Sequence, residues 1–364
     1  MATDTLSGFP LPGSCTGSVA ALPRRQRGKV RSSAGKKTTD ARGTKRLSQS
    51  FPLLVVALPL CLAVVVLSAG YFVRGAVSIA HRLSIPEFLV GSIIVAVGTS
   101  APEVAINVSA AREQAGDLLV SNIVGSNIVN IALGVGIAGL MFSFDRARRE
   151  YIATILVGGL GALILLGITL YTANAEGQSI FPRIAGFGLL FAFAAFMYFS
   201  IKSADGSDDE FHEPDVGWPL AILFVLLGAL AMAYFSELAV RLAVDLSHLV
   251  GIPEAVIGAT VIAAGGSLPE VSSCIAAARI RRPNLILGNV AGSQIFNMLG
   301  ILGLSGVITT FSYSSRLAVD MMNLLAMTLV LLVCIRFSRV RPALGPALVV
   351  GYVAYALYLV AIST

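Results

Sequence analysis

The 364-residue chain is 56% hydrophobic and only 13% charged, with a mean hydropathy of +0.83 and a net charge of +6. A soluble domain is usually about half apolar and about a quarter charged, so this composition excludes a soluble globular fold and implies an integral membrane protein. Most of the positive balance sits in the first fifty residues and says little about the remainder.

Those fifty residues hold ten Lys and Arg against Asp4 and Asp40. A Ser/Thr/Arg-rich, acid-poor stretch of this kind reads as a disordered tail or a targeting segment, and a membrane-tethered tail gives poor grounds for nucleic-acid binding. Ten apolar stretches follow, at 51–80, 86–111, 118–142, 151–171, 180–201, 218–246, 253–278, 285–311, 317–337 and 343–362. A helix needs about 20 such residues to cross a bilayer. Between the fifth and sixth stretches, residues 203–216 carry Asp205, Asp208, Asp209, Glu210, Glu213 and Asp215. Their spacing does not fit the alternating ligands of a calcium loop, and a solvated linker is expected. The predicted organisation is a basic tail at 1–50, five helices at 51–202, an acidic linker at 203–216 and five more helices at 217–364.

The two groups of five are copies. GSIIVAVGTSAPE at 91–103 matches GATVIAAGGSLPE at 258–270, and Ile85-Pro86-Glu87 matches Ile252-Pro253-Glu254. SNIVGSNIVN at 121–130 matches GNVAGSQIFN at 288–297 at the same offset. One offset shared by three separated blocks marks a duplication. An odd number of spans per copy makes the second copy enter from the opposite side, which gives an inverted repeat whose second and seventh helices meet at the midplane. The predicted fold is therefore all-α, with ten transmembrane helices in two inverted five-helix repeats and broken helices 2 and 7.

Loop charges set the orientation. The loops after spans 1, 3, 5, 7 and 9 carry Arg82, Arg146, Arg148, Arg149, Lys202, Arg279, Arg281, Arg282, Arg336, Arg339 and Arg341, against Arg112, Arg183 and Arg316 on the other side. The positive-inside rule puts the first set in the cytoplasm and both termini outside or in a lumen. The expected location is a plasma or inner membrane, or an organellar membrane if residues 1–50 are a presequence. Cys15, Cys61, Cys274 and Cys334 lack the paired spacing of a disulfide framework or zinc site.

Each copy places a carboxylate beside a proline inside an apolar stretch, as Gly98-Thr99-Ser100-Ala101-Pro102-Glu103 and as Gly265-Gly266-Ser267-Leu268-Pro269-Glu270. Proline removes a backbone donor and opens the helix, and the carbonyls around Ala96 to Gly98 are expected to lose their partners. Unwound backbone at membrane depth is tolerated where it lines a cavity, and hard cations take oxygen ligands. Candidate ligands are the Glu103 and Glu270 carboxylates, the hydroxyls of Thr99, Ser100 and Ser267, and the carbonyls of Ala96 and Ala263. Ser126 and Asn130 lie four apart on one helix face, and Ser293 and Asn297 repeat that face. An ionised carboxylate at the membrane centre costs about 2.5 kcal/mol or more, so the two acids call for bound cations or protons, and one Ca²⁺ would cancel both charges.

At these residues the chain resembles the cation/calcium exchanger superfamily, with the layout of its compact prokaryotic-type sodium/calcium exchangers, from about residue 68 to the C-terminus. The resemblance implies Na⁺/Ca²⁺ antiport by alternating access, with Glu103 and Glu270 as the central calcium carboxylates. Thr99, Ser100, Ser126, Asn130, Ser267, Ser293 and Asn297, with the carbonyls of Ala96 and Ala263, would line the calcium and sodium positions. Calcium and sodium are the transported ligands and the bilayer the other partner, with no cofactor and no nucleic acid. A monomer is expected. Three residues depart from the family pattern: Gly266 stands where Thr is usual, Gln294 where Asn is usual, and Asn297 is an amide where some members have a carboxylate. They leave the driving ion and stoichiometry open. H⁺/Ca²⁺ exchange, or exchange of another divalent cation, is the alternative on the same scaffold, and a cation channel is a more distant one. An enzyme is disfavoured, because no nucleophile–base pair or ATP-binding motif is present.

Overall fold

The computed structural model describes residues 41–83, 85–142, 144, 149–202, 216–251, 263–337 and 340–363. Contacts divide the chain into two units, 1–44 and 45–364, and the helical body is the second. The tail 1–40, the linker acids, residues 252–262 with Glu254, Arg146, Arg148 and Thr364 lie outside the described residues.

Among the described residues the body is almost entirely helical. Helix α1 spans Ala41–Leu83, and α2 (Glu87–Thr99) and α3 (Ala101–Arg112) are two halves of one bent element, meeting at 52°. Next come α4 (Gly116–Met141), α5 (Arg149–Thr172), α6 (Arg183–Lys202) and α7 (Trp218–Leu249). The second copy continues with α8 (Ala263–Gly265), α9 (Leu268–Arg279), α10 (Pro283–Ile308), α11 (Ala318–Arg336) and α12 (Leu344–Ser363). Among the described residues, eight helices are long and apolar enough to cross a membrane, and nine if α2 and α3 count as one span. The expected seventh span runs through 252–262; its described remainder is α8 and α9.

An all-helical chain was expected, but the structure adds a two-stranded ribbon. Strand β1 (Gln178–Phe181) pairs antiparallel with β2 (Phe311–Ser314), in the register Gln178 to Ser314 and Phe181 to Phe311. It joins the loop after α5 to the loop after α10, and the Phe181 and Phe311 rings stack at 5.2 Å. The Asp117 carboxylate, in the first turn of α4, accepts the Ser314 N–H. A second set of contacts defines the other face. There the Arg282 guanidinium meets the Glu87 carboxylate at 2.6 Å, and Arg82 donates to the Val216 carbonyl at 3.0 Å.

These contacts fix helix directions. Helix α10 starts beside Glu87 and ends at β2, whereas α4 starts at β2. With 26 residues each, about 39 Å of helix, the two counterparts run in opposite directions. The same holds for α3, which leads toward the ribbon, and α9, which ends next to Arg282.

Helix α10 is the central one, with every residue from Leu285 to Ile295 buried. It crosses α2 backbone to backbone: a Cβ on Gly288 would lie 2.3 Å from the Phe88 carbonyl oxygen, and one on Gly292 would lie 2.3 Å from that of Ser92. Only glycine permits that approach, as in other small-residue membrane interfaces. The outer surface is covered with exposed Leu, Ile, Val and Phe, such as Leu67, Leu160, Ile184, Phe191 and Leu230, as a lipid-facing surface should be.

Candidate functional site

Ser100 ends α2 and N-caps α3, so Glu103 falls in the first turn of α3. Ser267 and Glu270 hold the same places at the start of α9. Each acid thus sits at the positive end of a half-helix dipole, where a carboxylate is favoured, and the two half-helices approach from opposite faces. Glu103 and Glu270 are each 1% exposed, which rules out solvent as their partner.

The hydrogen bonds show how closely the copies interlock. The Ser100 hydroxyl donates to Glu270 Oε1 at 2.9 Å, across 170 positions of sequence. From α4, the Ser126 hydroxyl donates to Glu103 Oε1 at 3.4 Å. The Asn297 amide of α10 donates to Asn127 Oδ1 of α4 at 3.2 Å. What remains unpaired is equally informative. Glu103 Oε2, Glu270 Oε2, the Ser267 and Ser293 hydroxyls, both side-chain polar atoms of Asn130 and Asn297 Oδ1 are buried without a hydrogen-bond partner among the described residues. Buried polar groups are rarely left so, and this set is dominated by oxygens.

Asn130 and Asn297 share a further feature. Asn130 opens a π-helical segment, Asn130–Val135, and Asn297 lies in another, Phe296–Ile301. Such segments are often found at functional sites, where the wider turn redirects side chains. A third, Gly91–Val95, lies in α2 two residues before the hexad Gly98–Glu103.

One expectation needs correction. The Ala96 carbonyl is not freed: it accepts the Ser100 N–H at 3.0 Å and the Thr99 hydroxyl at 3.3 Å. The Gly98 carbonyl is the one that loses its helical donor, because Pro102, four residues beyond it, has no N–H to offer. The Thr99 hydroxyl turns to its own backbone, to Val95 at 3.0 Å as well as to Ala96. Ala263 begins the described part of the second copy, in α8. The substituted residue Gln294 faces α5 and α11. Its amide donates to Thr328 of α11 at 3.2 Å, and its side chain packs where Gly158 of α5 leaves room, whereas its counterpart Asn127 bonds to Asn297.

Three asparagines belong to the same cluster and were not singled out from sequence. Asn107 donates to the Glu103 carbonyl at 2.8 Å. Its counterpart in the second copy is Cys274, and there Asn289 donates to the Glu270 carbonyl at 3.4 Å and to Cys274 Sγ at 3.4 Å. Asn127 accepts from Asn297. Asn107 and Asn289 were legible in principle: each lies four residues from a chosen residue, Glu103 and Ser293, on the same helix face.

Comparison with known proteins is consistent along the whole body. A family model described as "Sodium/calcium exchanger protein" matches residues 53–202 and 220–362. The inner membrane protein YrbG of Escherichia coli is 34% identical over 272 residues, covering 71% of this chain and 79% of YrbG. The sodium/calcium exchanger MaX1 of Methanosarcina acetivorans is 28% identical over 345 residues, covering 82% and 96%. Among solved structures, the sodium-calcium exchanger NCX_Mj soaked with Na⁺ and Sr²⁺ superposes with a TM-score of 0.70 at 25% identity, covering 84% of this chain and 97% of that one.

Proposed function

The chain belongs to the sodium/calcium exchanger family, and from that premise we propose that it exchanges Na⁺ for Ca²⁺ across a membrane by alternating access, in ten helices arranged as two inverted five-helix repeats. The observation that carries this reading is the pair of buried carboxylates, Glu103 and Glu270, each with one oxygen held by a serine and the other unpartnered. A divalent cation between them matches their charge and takes up both free oxygens. Among the described residues no group of three or more His, Cys, Asp or Glu could hold a metal ion, so the remaining ligands would be neutral oxygens.

In this proposal Glu103 and Glu270 bind calcium. Thr99, Ser100, Ser126, Asn130, Ser267, Ser293 and Asn297, with the carbonyls of Ala96 and Ala263, line the calcium and sodium positions. The Thr99 oxygen keeps lone pairs for an ion while its hydroxyl donates to Val95, and the Ala96 carbonyl would join by giving up the Thr99 hydroxyl. Asn107 and Asn289 hold the two glutamate backbones rather than the ion. The opposed directions of α3 and α9 support a site shared by two halves that rock about it, with the arginine-rich face in the cytoplasm. The protein acts as a monomer in a plasma or inner membrane.

Proton-driven calcium exchange is the second reading, because Gly266 supplies no hydroxyl where Thr99 supplies one in the first copy. Uptake of radioactive calcium into proteoliposomes with imposed Na⁺, K⁺ or H⁺ gradients tests both. Uptake driven by an outward Na⁺ gradient is expected; uptake driven only by a proton gradient replaces sodium with H⁺, and uptake needing no counter-ion gradient indicates a channel.

A further inference from the structure

We propose that the groove between α1 and α9 binds one anionic phospholipid, with its phosphate between Arg74 and Arg279. A cavity of about 240 Å³ lies there, lined on the α1 side by Val66, Leu67, Gly70 and Arg74 and on the α9 side by Ala276 and Arg279. Val66, Gly70 and Arg74 are spaced by four and share one face of α1, so over two turns, about 12 Å, that face passes from apolar to cationic. The cationic end points toward the face where α1 ends, Arg82 reaches Val216 and α9 runs into Arg281 and Arg282. The gradient along the groove matches that of a phospholipid, whose chain enters the membrane while its phosphate stays at the interface.

Both guanidiniums lack a hydrogen-bond or ion-pair partner among the described residues, and both are exposed on the lipid-facing surface. The planar guanidinium fork suits phosphate oxygens, and basic pockets between helices at the cytoplasmic side suit anionic headgroups. Two fixed positive charges also make this cavity a poor entrance for cations, so it is distinct from the exchange route. The acidic linker is a weaker occupant, because 203–216 offers only Ala204, Phe211 and Val216 as large or small apolar residues for the inner half of the groove.

Native mass spectrometry of the full chain, in micelles containing equal amounts of phosphatidylglycerol and phosphatidylcholine, tests the site. One phosphatidylglycerol should be retained preferentially. The Arg74→Gln/Arg279→Gln variant should lose about thirtyfold in that retention, at about tenfold per 1.4 kcal/mol and about 1 kcal/mol per basic residue. Gly70→Leu should lose it too, with both charges intact, by filling the acyl slot; a Cβ at Gly70 meets nothing within 4 Å, so the variant should fold. Monodisperse elution checks each protein. Equal retention of the two lipids by the parent overturns the proposal. So does a loss in the arginine variant with none in Gly70→Leu, which indicates a free-anion site, or retention that appears only after the six linker acids are changed to amides, which makes the linker the occupant. None of these changes touches Glu103 or Glu270, so calcium exchange in neutral lipid should persist whichever result is obtained.

Discussion

At the residue scale the two glutamates are the proposed calcium carboxylates, and their surroundings make them testable without disturbing the fold. Glu103→Gln and Glu270→Gln keep the volume and the serine contact but remove a proposed charged ligand. Each should lower calcium exchange on the order of a hundredfold or more, since affinity for Ca²⁺ follows the charge count of its ligands. Each should also elute as a folded, monodisperse protein. Near-normal transport by either variant would remove these residues from the calcium site. Position 266 gives the converse test. A Cβ there meets nothing within 4 Å among the described residues, whereas one at the adjacent Gly265 would lie 2.0 Å from a Val240 methyl. Gly266→Thr is therefore sterically open and restores the hydroxyl that Thr99 has in the first copy. It should lower the Na⁺ concentration for half-maximal exchange severalfold and leave the Ca²⁺ requirement nearly unchanged, as read from initial uptake rates. An unchanged Na⁺ requirement would mean that position 266 does not face a sodium ion.

At the scale of elements, the site depends on how closely α10 lies against α2. Both helices carry π-helical segments next to the functional residues, and glycine faces main chain at the crossing. Gly292→Ala puts a methyl where the Ser92 carbonyl now sits, so the helices must part or shift. Overpacking of this kind costs about 1–3 kcal/mol. A lower unfolding temperature in detergent is expected, together with reduced exchange, because Ser293 and Asn297 ride on the same helix. Unfolding indistinguishable from the parent would show that the crossing tolerates a side chain.

At the scale of the whole molecule, the two faces are distinguished by chemistry. One carries the Glu87–Arg282 pair and the arginine-rich helix ends, the other the ribbon of β1 and β2. Cysteines introduced at Arg148 and Arg281 should react with a membrane-impermeant reagent only from the cytoplasmic side, and one at Thr364 only from outside. Native Cys61, Cys274 and Cys334 are buried and should contribute little background; Cys15 is best replaced first. Labelling of Thr364 from the cytoplasm would overturn either the ten-span topology or the charge-based orientation.

The sequence by itself determined the membrane class, the duplication and the paired acids, because each is written in residue type and spacing. Apolar stretches measure the bilayer, an offset common to three blocks records the copy, and a proline before a glutamate marks where a helix breaks. Tertiary structure alone decided which groups meet. Ser100 bonds to the glutamate of the other copy, Asn289 takes over a role that Asn107 plays in the first, and Gln294 turns away to Thr328. The ribbon likewise pairs segments far apart in the chain. Side-chain partners across helices depend on crossing geometry and on the few ångströms that glycine concedes at Gly288 and Gly292. No local signal encodes that geometry. Even within one hexad, the choice of freed carbonyl depended on a Ser100 N–H that still reached back to Ala96, a matter of backbone path rather than residue identity.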